Sequence, residues 1–451
     1  MRIPTDRWCR VAAALLALIV VGRLAVRELP DWRSVPGWEA YWIAQGLVRG
    51  EGFSLPVGHR WLFDVVDSNG YLRITDEAFQ ASAWADPVYT GILAALLAGV
   101  PGHYQLAALI LNLGLLLLVF WGTYRLGERI AGPVPGLIAV VLLVRIHPFH
   151  DSVVQMTNTV LSGALIVVAG LALVSALERP TRGRAVALGL GLGVAVLAGP
   201  SAQFFVPAAL LMLLLAARGD GLRRAAGQAA IVAAASALVV LPWTARNWLR
   251  FGELVPVRTG GGQIAFVGVV GAGAAVEPGR LRTRIPPPWR AESPRAAVRR
   301  LVEPPWDEVA ALERFQLDYA EDVGPPGYGQ MNEAERDAWQ MRETRAFLRE
   351  APGLSARLAL AKIDTFARRM NWAGGVACIL AALAWLLARR SLAVLGLTLW
   401  VGAYLVPFLL IVPYYPRYRA PVEPLLVALA GVATWRLALL AVHLGRRVGA
   451  R

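Results

Sequence analysis

Of 451 residues, 57% are hydrophobic and only 17% are charged, against about 25% charged in soluble domains, so the composition excludes an ordinary water-soluble fold and calls for a bilayer as solvent. The net charge of +14 does not indicate nucleic acid, because the basic residues sit in short clusters between apolar runs, the arrangement that orients membrane helices. Cys9 and Cys378 are the only cysteines, with no CxxC pair, which excludes a disulfide framework and a thiolate metal site.

At the N-terminus Arg2, Arg7 and Arg10 precede the apolar run Val11–Val21. The following Gly22–Arg27 stretch offers no small-residue cleavage site, so this segment reads as an uncleaved signal anchor with a cytoplasmic N-terminus. Runs long enough for membrane helices fall near 11–27, 104–123, 130–146, 153–177, 185–200, 202–217, 228–245, 373–388, 391–412 and 421–441. The expected fold is therefore all-α and polytopic, with about ten transmembrane helices. A further apolar stretch, Val88–Val100, is only about 13 residues long, a length that suits an interfacial helix better than a span.

Parity settles where that short stretch belongs. If it does not cross, the cytoplasmic side receives Arg125 and Arg129, then Arg179, Arg182 and Arg184, then Arg218, Arg223 and Arg224, and later Arg389, Arg390, Arg446, Arg447 and Arg451. If it crossed, each of these clusters would face outward, against the positive-inside rule. Val88–Val100 is thus expected as a juxtamembrane helix. The chain divides into an N-terminal transmembrane region, 1–246, with a first outer loop at 28–103, an extracytoplasmic region, 247–371, and C-terminal transmembrane helices at 372–451. The middle region opens with Gly260-Gly261-Gly262, passes Pro286-Pro287-Pro288 and ends in a charged helical stretch, Asn332–Met370. The membrane runs carry almost no charge at their centres, where transporters and proton pumps place ionisable groups. Chemistry is therefore expected at the outer interface.

Three outward segments combine ionisable, aromatic and proline residues. In Pro36–Ala44, Glu39 lies just beyond the first helix, where a carboxylate could take a proton from an incoming hydroxyl. The alternative is one solvated acid in an interfacial aromatic belt. In Arg145–Asp151, His147, His150 and Asp151 form a short cluster that could hold a divalent cation, or simply a polar helix end. Arg246 closes the seventh expected span, and Arg417 and Arg419 lie in the loop before the last. Guanidinium groups there suit a phosphate through charge-assisted hydrogen bonds, or they reach lipid headgroups.

Together these segments resemble glycosyltransferase family 39, the bacterial relatives of dolichyl-phosphate-mannose protein mannosyltransferases within the GT-C fold. The resemblance rests on Trp38-Glu39 with Ile43-Ala44, Leu47, Gly50, Gly52 and Phe53, on Ala83–Tyr89, on Leu241–Asn247 with Phe251, and on Arg417-Tyr418-Arg419 with Pro421, Glu423 and Pro424. It implies transfer of a sugar from a polyprenyl-phosphate carrier to a glycan, lipid or protein acceptor on the extracytoplasmic side of the cell inner membrane. The first outer loop would then carry the catalytic acid and a juxtamembrane helix. Many relatives have an Asp-Glu pair where Trp38 precedes Glu39 here, so Glu39, Asp86 and Asp151 stand together as candidate bases. Arg246, Arg417 and Arg419 are the candidate contacts for the donor phosphate. No cofactor is implied beyond the divalent cation. The competing expectation is a flippase or exporter of lipid-linked glycans, for which inverted repeats or mid-membrane charges would be the sign.

Overall fold

A computed structural model describes residues 5–34, 39–56, 79–146, 151–217, 221–277, 290–302, 319, 322–325, 328, 331–369, 372–388, 390–411 and 416–448. The described chain is helical apart from a short antiparallel pair, β1 (Ser54–Pro56) and β2 (Phe79–Ala81), with Ser54 opposite Ala81. The N-terminal half contains α1 (Thr5–Glu28), α2 (Glu39–Val48), α3 (Pro87–Gly99), α4 (Tyr104–Ala131), α5 (Pro133–Val144), α6 (Thr159–Glu178), α7 (Arg182–Ala198), α8 (Phe205–Leu215) and α9 (Leu222–Phe251). Then come α10 (Gly261–Val276, with a π-helical turn at Val267–Gly271), α11 (Pro294–Val302), α12 (Glu333–Glu350), α13 (Pro352–Arg369), α14 (Trp372–Leu387), α15 (Leu392–Leu410) and α16 (Glu423–Val448).

A helix stands at every position where a span was expected, but length separates them. Among the described residues six helical stretches are long and apolar enough to cross a membrane, namely Asp6–Arg33, Pro101–Ala131, Thr159–Glu178, Leu222–Phe251, Leu392–Leu410 and Ala420–Arg447. The chain is an integral membrane protein. The count of ten is not reached by this measure, because α5 has 12 residues, α7 17, α8 11 and α14 16. At about 1.5 Å per residue such helices fall short of a hydrocarbon layer about 30 Å thick. Proline marks two of the interruptions: Pro133 starts α5, and Pro200 opens the 3₁₀ turn that precedes α8. The short α3 occupies the place foreseen for the juxtamembrane helix.

Close helix approach depends on small residues. Gly189 and Gly193 of α7 face α9, where a Cβ on Gly189 would lie 2.6 Å from the Val232 carbonyl oxygen and one on Gly193 2.7 Å from the Val239 side chain. The Ser236 hydroxyl uses this proximity to donate to the Gly189 carbonyl at 2.9 Å. Small residues four apart let backbones meet in lipid, where apolar burial gives helices little drive to associate.

A second core gathers around an apolar helix, α10. Phe266, Val269 and Val270 of α10 pack with Trp339 and Phe347 of α12 and Leu354 and Leu358 of α13. Gly262 has to be glycine because a Cβ there would lie 1.9 Å from the Asp337 carbonyl oxygen. Asp337 caps the start of α10, accepting from the amides of Gly262 at 2.7 Å and Gln263 at 3.1 Å. Glu333 ties this core to the segment just before α3: it accepts from the Ser82 hydroxyl at 3.0 Å, the Thr259 hydroxyl at 3.0 Å and the Ala83 amide. Lys362 of α13, the only lysine, donates to the carbonyls of Leu410 at 3.3 Å and Ile411 at 2.5 Å, holding the end of α15.

Candidate active site

Several element ends meet on one side of the helical bundle. The start of α3, the start of α6, the end of α7 and its 3₁₀ turn, the 258–264 segment and the end of α15 enclose a cavity of about 320 Å³. The convergence follows from local bonds. Asn158, at the start of α6, donates to the Ala198 carbonyl at the end of α7 at 2.8 Å, and the Ser162 hydroxyl donates to the same oxygen at 2.9 Å. Asp86 precedes Pro87 at the start of α3 in extended backbone (φ −77°, ψ 126°). Proline is favoured at the first helical position and biases the preceding residue toward extended conformations, which directs Asp86 off the helix and toward its neighbours.

Asp86 is the acidic residue in this cavity. It is 5% exposed, accepts from the Asn158 amide group, and lies 3.5 Å from an Arg258 guanidinium nitrogen. A buried carboxylate is tolerated only with such partners. Hydroxyls of Thr157, Thr159, Ser201, Tyr404 and Tyr418 surround them on the lining side chains, beside the apolar faces of Met156, Ile166 and Phe408. Among the described residues the site offers one carboxylate, one guanidinium and hydroxyl-bearing walls beside apolar surface, a composition suited to a polar group attached to something greasy.

The other candidates fall in different places. Glu39 begins α2, and its neighbour Ala40 lines the cavity. The Glu39 side chain lies outside the described residues, as does that of Arg417. Asp151 is exposed and does not line the cavity. His147 and His150 lie outside the described residues, and among the described residues no three metal-ligating side chains converge. Arg246 acts as an internal clamp. It donates to the carbonyls of Ser82 at 2.8 Å and Phe53 at 2.7 Å and lies over the Trp243 ring at 5.0 Å, fastening the end of α9 to the strands between α2 and α3. Arg419 is also turned inward, 1% exposed, with its Nε donating to Glu423 at 2.5 Å. Its neighbours Tyr418 and Pro421 line the cavity instead. Arg258 and Asn158 were not foreseen from the sequence. Neither Val257-Arg258-Thr259 nor Thr157-Asn158-Thr159 carries a local pattern that marks it as part of a site.

Comparison with known proteins fits this arrangement. The family model described as dolichyl-phosphate-mannose-protein mannosyltransferase matches residues 85–245, which begin beside Asp86 and end in α9. The oligosaccharyltransferase of Archaeoglobus fulgidus, in its apo form, superposes with a TM-score of 0.52 at 15% identity, covering 98% of this chain and 52% of that one. The chain has the GT-C fold. The same archaeal enzyme in complex with an inhibitory peptide and a dolichol-phosphate gives a TM-score of 0.51 at 15% identity, over 98% of this chain and 52% of that one. ArnT from Cupriavidus metallidurans bound to undecaprenyl phosphate is 16% identical over 95% of this chain and 78% of that one, with a TM-score of 0.39, too low to add to the fold argument. The chain spans about half the length of the archaeal enzyme it matches. No curated protein matches its sequence.

Proposed function

We propose that this chain is a membrane glycosyltransferase that moves one sugar from a polyprenyl-phosphate carrier to an acceptor on the extracytoplasmic side. The observation that carries the proposal is the Asp86–Arg258 pair in a mixed polar and apolar cavity at one end of the bundle. In this reading the acceptor hydroxyl attacks the anomeric carbon, and its proton passes to a carboxylate, Asp86 or Glu39. The bond from the anomeric carbon to the phosphate oxygen breaks, and the polyprenyl phosphate leaves with the electron pair. One displacement inverts the configuration at that carbon. A fixed guanidinium such as that of Arg258 stabilises the departing phosphate through preorganised charge. The apolar surface beside the pair suits the first isoprene units of the carrier. The matching archaeal oligosaccharyltransferase, solved with a dolichol-phosphate, supports a lipid-phosphate donor for a protein of this fold.

Purified protein given a synthetic polyprenyl-phosphate sugar is expected to release polyprenyl phosphate. Asp86→Asn should slow that release by about 10²–10⁴-fold, the usual contribution of a positioned base. Near-normal release by both Asp86→Asn and Glu39→Gln would remove the base assignment. Movement of the intact lipid-linked sugar across a bilayer without cleavage would establish the flippase reading instead.

A further inference from the structure

One side chain of α12 joins the two segments that carry Asp86 and Arg258. The start of this helix is fixed by its own sequence. Asn332 accepts from the amides of Ala334 and Glu335, both at 3.0 Å, while the Glu335 carboxylate accepts from the Asn332 amide at 2.8 Å. Such a capping box sets where a helix begins. The Asn332 side chain also donates to the Phe251 carbonyl at 3.2 Å, which seats the first turn of α12 against the end of α9. Glu333 and Asp337, four apart, then project from one face.

Glu333 Oε1 accepts from both the Ala83 amide and the Thr259 hydroxyl, and its Oε2 accepts from the Ser82 hydroxyl. Ala83 stands three residues before Asp86, and Thr259 directly follows Arg258. A single carboxylate oxygen therefore links the stretch of chain that carries the acid to the stretch that carries the guanidinium. The Thr259 amide adds a bond to the Ala83 carbonyl at 2.9 Å. Asp337 holds the amides of Gly262 and Gln263, between Gly261 and Ile264 of the cavity wall. Asp86 and Arg258 themselves approach only to 3.5 Å, longer than the roughly 2.7–2.9 Å of a full charge-assisted hydrogen bond. Their own contact is too loose to fix their spacing, so the backbone beneath them has to fix it. We infer that Glu333 is a positioning residue for the transfer: by binding Ala83 and Thr259 at once it keeps Asp86 and Arg258 in register, although it does not line the cavity. The inference rests on the proposed reaction and adds to it a control exerted from outside the cavity.

The test uses the full-length protein in detergent with a synthetic polyprenyl-phosphate sugar, and follows both release of polyprenyl phosphate and amide hydrogen exchange. Glu333→Ala should lower kcat about 100-fold, the effect of displacing reacting groups by about 1 Å, while the donor KM stays near the wild-type value. Exchange should quicken in residues 82–86 and 258–263 and stay unchanged in α6. Glu333→Gln keeps one acceptor oxygen for Ala83 and Thr259 and should recover most of kcat. Thr259→Val removes one donor to Glu333 while keeping the shape; it should give a smaller loss of the same kind, and it carries the test if Glu333→Ala does not fold. Glu178→Gln, which breaks an exposed ion pair elsewhere, should leave kcat unchanged. A contact that only supports the fold would reduce the amount of active protein and leave the kcat of the remainder intact. That result, a change confined to KM, or unaltered exchange in both segments would overturn the inference. A wild-type chain that releases no polyprenyl phosphate would instead remove the transfer reading, and exchange in Glu333→Ala would then decide by itself whether Glu333 holds the two segments together.

Discussion

Two arginines, Arg419 buried and Arg258 partly exposed, illustrate how the same residue type serves different ends. Arg419 is closed off with Glu423, and its guanidinium lies 5.9 Å over the Phe366 ring. Removing one partner of a buried pair leaves an uncompensated charge, at a cost of about 3–5 kcal/mol. Glu423→Gln should therefore lower the thermal unfolding temperature in detergent by several degrees and reduce expression, whereas an unchanged transition would show that Arg419 is not held by this pair. Arg258, by contrast, lies in the cavity beside Asp86. Arg258→Ala should raise the KM for a polyprenyl-phosphate donor about 10- to 100-fold, since a charge-assisted hydrogen bond contributes about 1.5–3 kcal/mol. A KM at the wild-type value would exclude it as a phosphate contact. Outer arginines were legible in the sequence as residues with a specific task, but not the task itself. The sequence around Arg246 and Arg419 reads the same whether the partner is a phosphate, a carbonyl of the chain or a carboxylate such as Glu423. Asp86 entered the sequence reading only as one of three candidate acids, through the Ala83–Tyr89 stretch, and nothing in that stretch showed its burial beside Arg258.

At the scale of elements, α7 and α9 show how packing depends on absent side chains. Gly189→Leu would force the helices apart at a point where even a Cβ lies 2.6 Å from backbone, so the variant should unfold at a lower temperature, while Gly191→Leu, with open space around it, should not. Equal losses from both would argue against a close α7–α9 contact. The loop latch gives a pH dependence. Burial pushes the carboxyls of Glu333 and Asp337 above their ordinary values, although backbone and hydroxyl donors pull the other way. The folded chain then holds these protons more tightly than the unfolded chain does. Their stabilising contribution is complete below the ordinary carboxyl value and is lost as pH rises through the raised folded value. Thermal stability should fall across that window, and Glu333→Gln should flatten the slope; an identical slope in the variant would discard the linkage. The positions of the membrane helices could be read from apolar runs, because a bilayer demands uniform apolarity. Their lengths could not, since Pro133 starts α5 inside a run that begins at 130, and the 3₁₀ turn opened by Pro200 delays α8 to Phe205. The apolar α10 was also missed: set among polar residues, it gave no sign of having its own partners in α12 and α13.

Across the whole molecule, a group of ion pairs between helix ends lies opposite the cavity. Arg10 meets Glu128 at 2.9 Å, Arg129 meets Glu178 at 2.7 Å, and Arg224 reaches the Pro180 carbonyl at 3.5 Å, which gathers the start of α1, the ends of α4 and α6 and the start of α9 on one side. On the other side the turn after α1 meets the start of α4, where Gln105 donates to the Arg33 carbonyl at 3.0 Å, and the starts of α3 and α6 contribute to the cavity. This is the alternation that parity requires if α3 does not cross. Arg125, Arg129, Arg179, Arg182 and Arg184 all belong to the first side, so the positive-inside rule leads us to expect that side in the cytoplasm and the cavity in the opposite compartment. The expectation can be tested on intact cells carrying Cys9→Ala and Cys378→Ala to remove native thiols. A cysteine introduced by Arg345→Cys on the exposed face of α12 should react with a membrane-impermeant maleimide, because residues 247–371 would lie outside with the cavity. One introduced by Arg182→Cys should react only after the cells are permeabilised. The opposite pattern would place the cavity on the cytoplasmic side, where an extracytoplasmic acceptor could not reach Asp86, and the proposed transfer would have to be abandoned along with the topology.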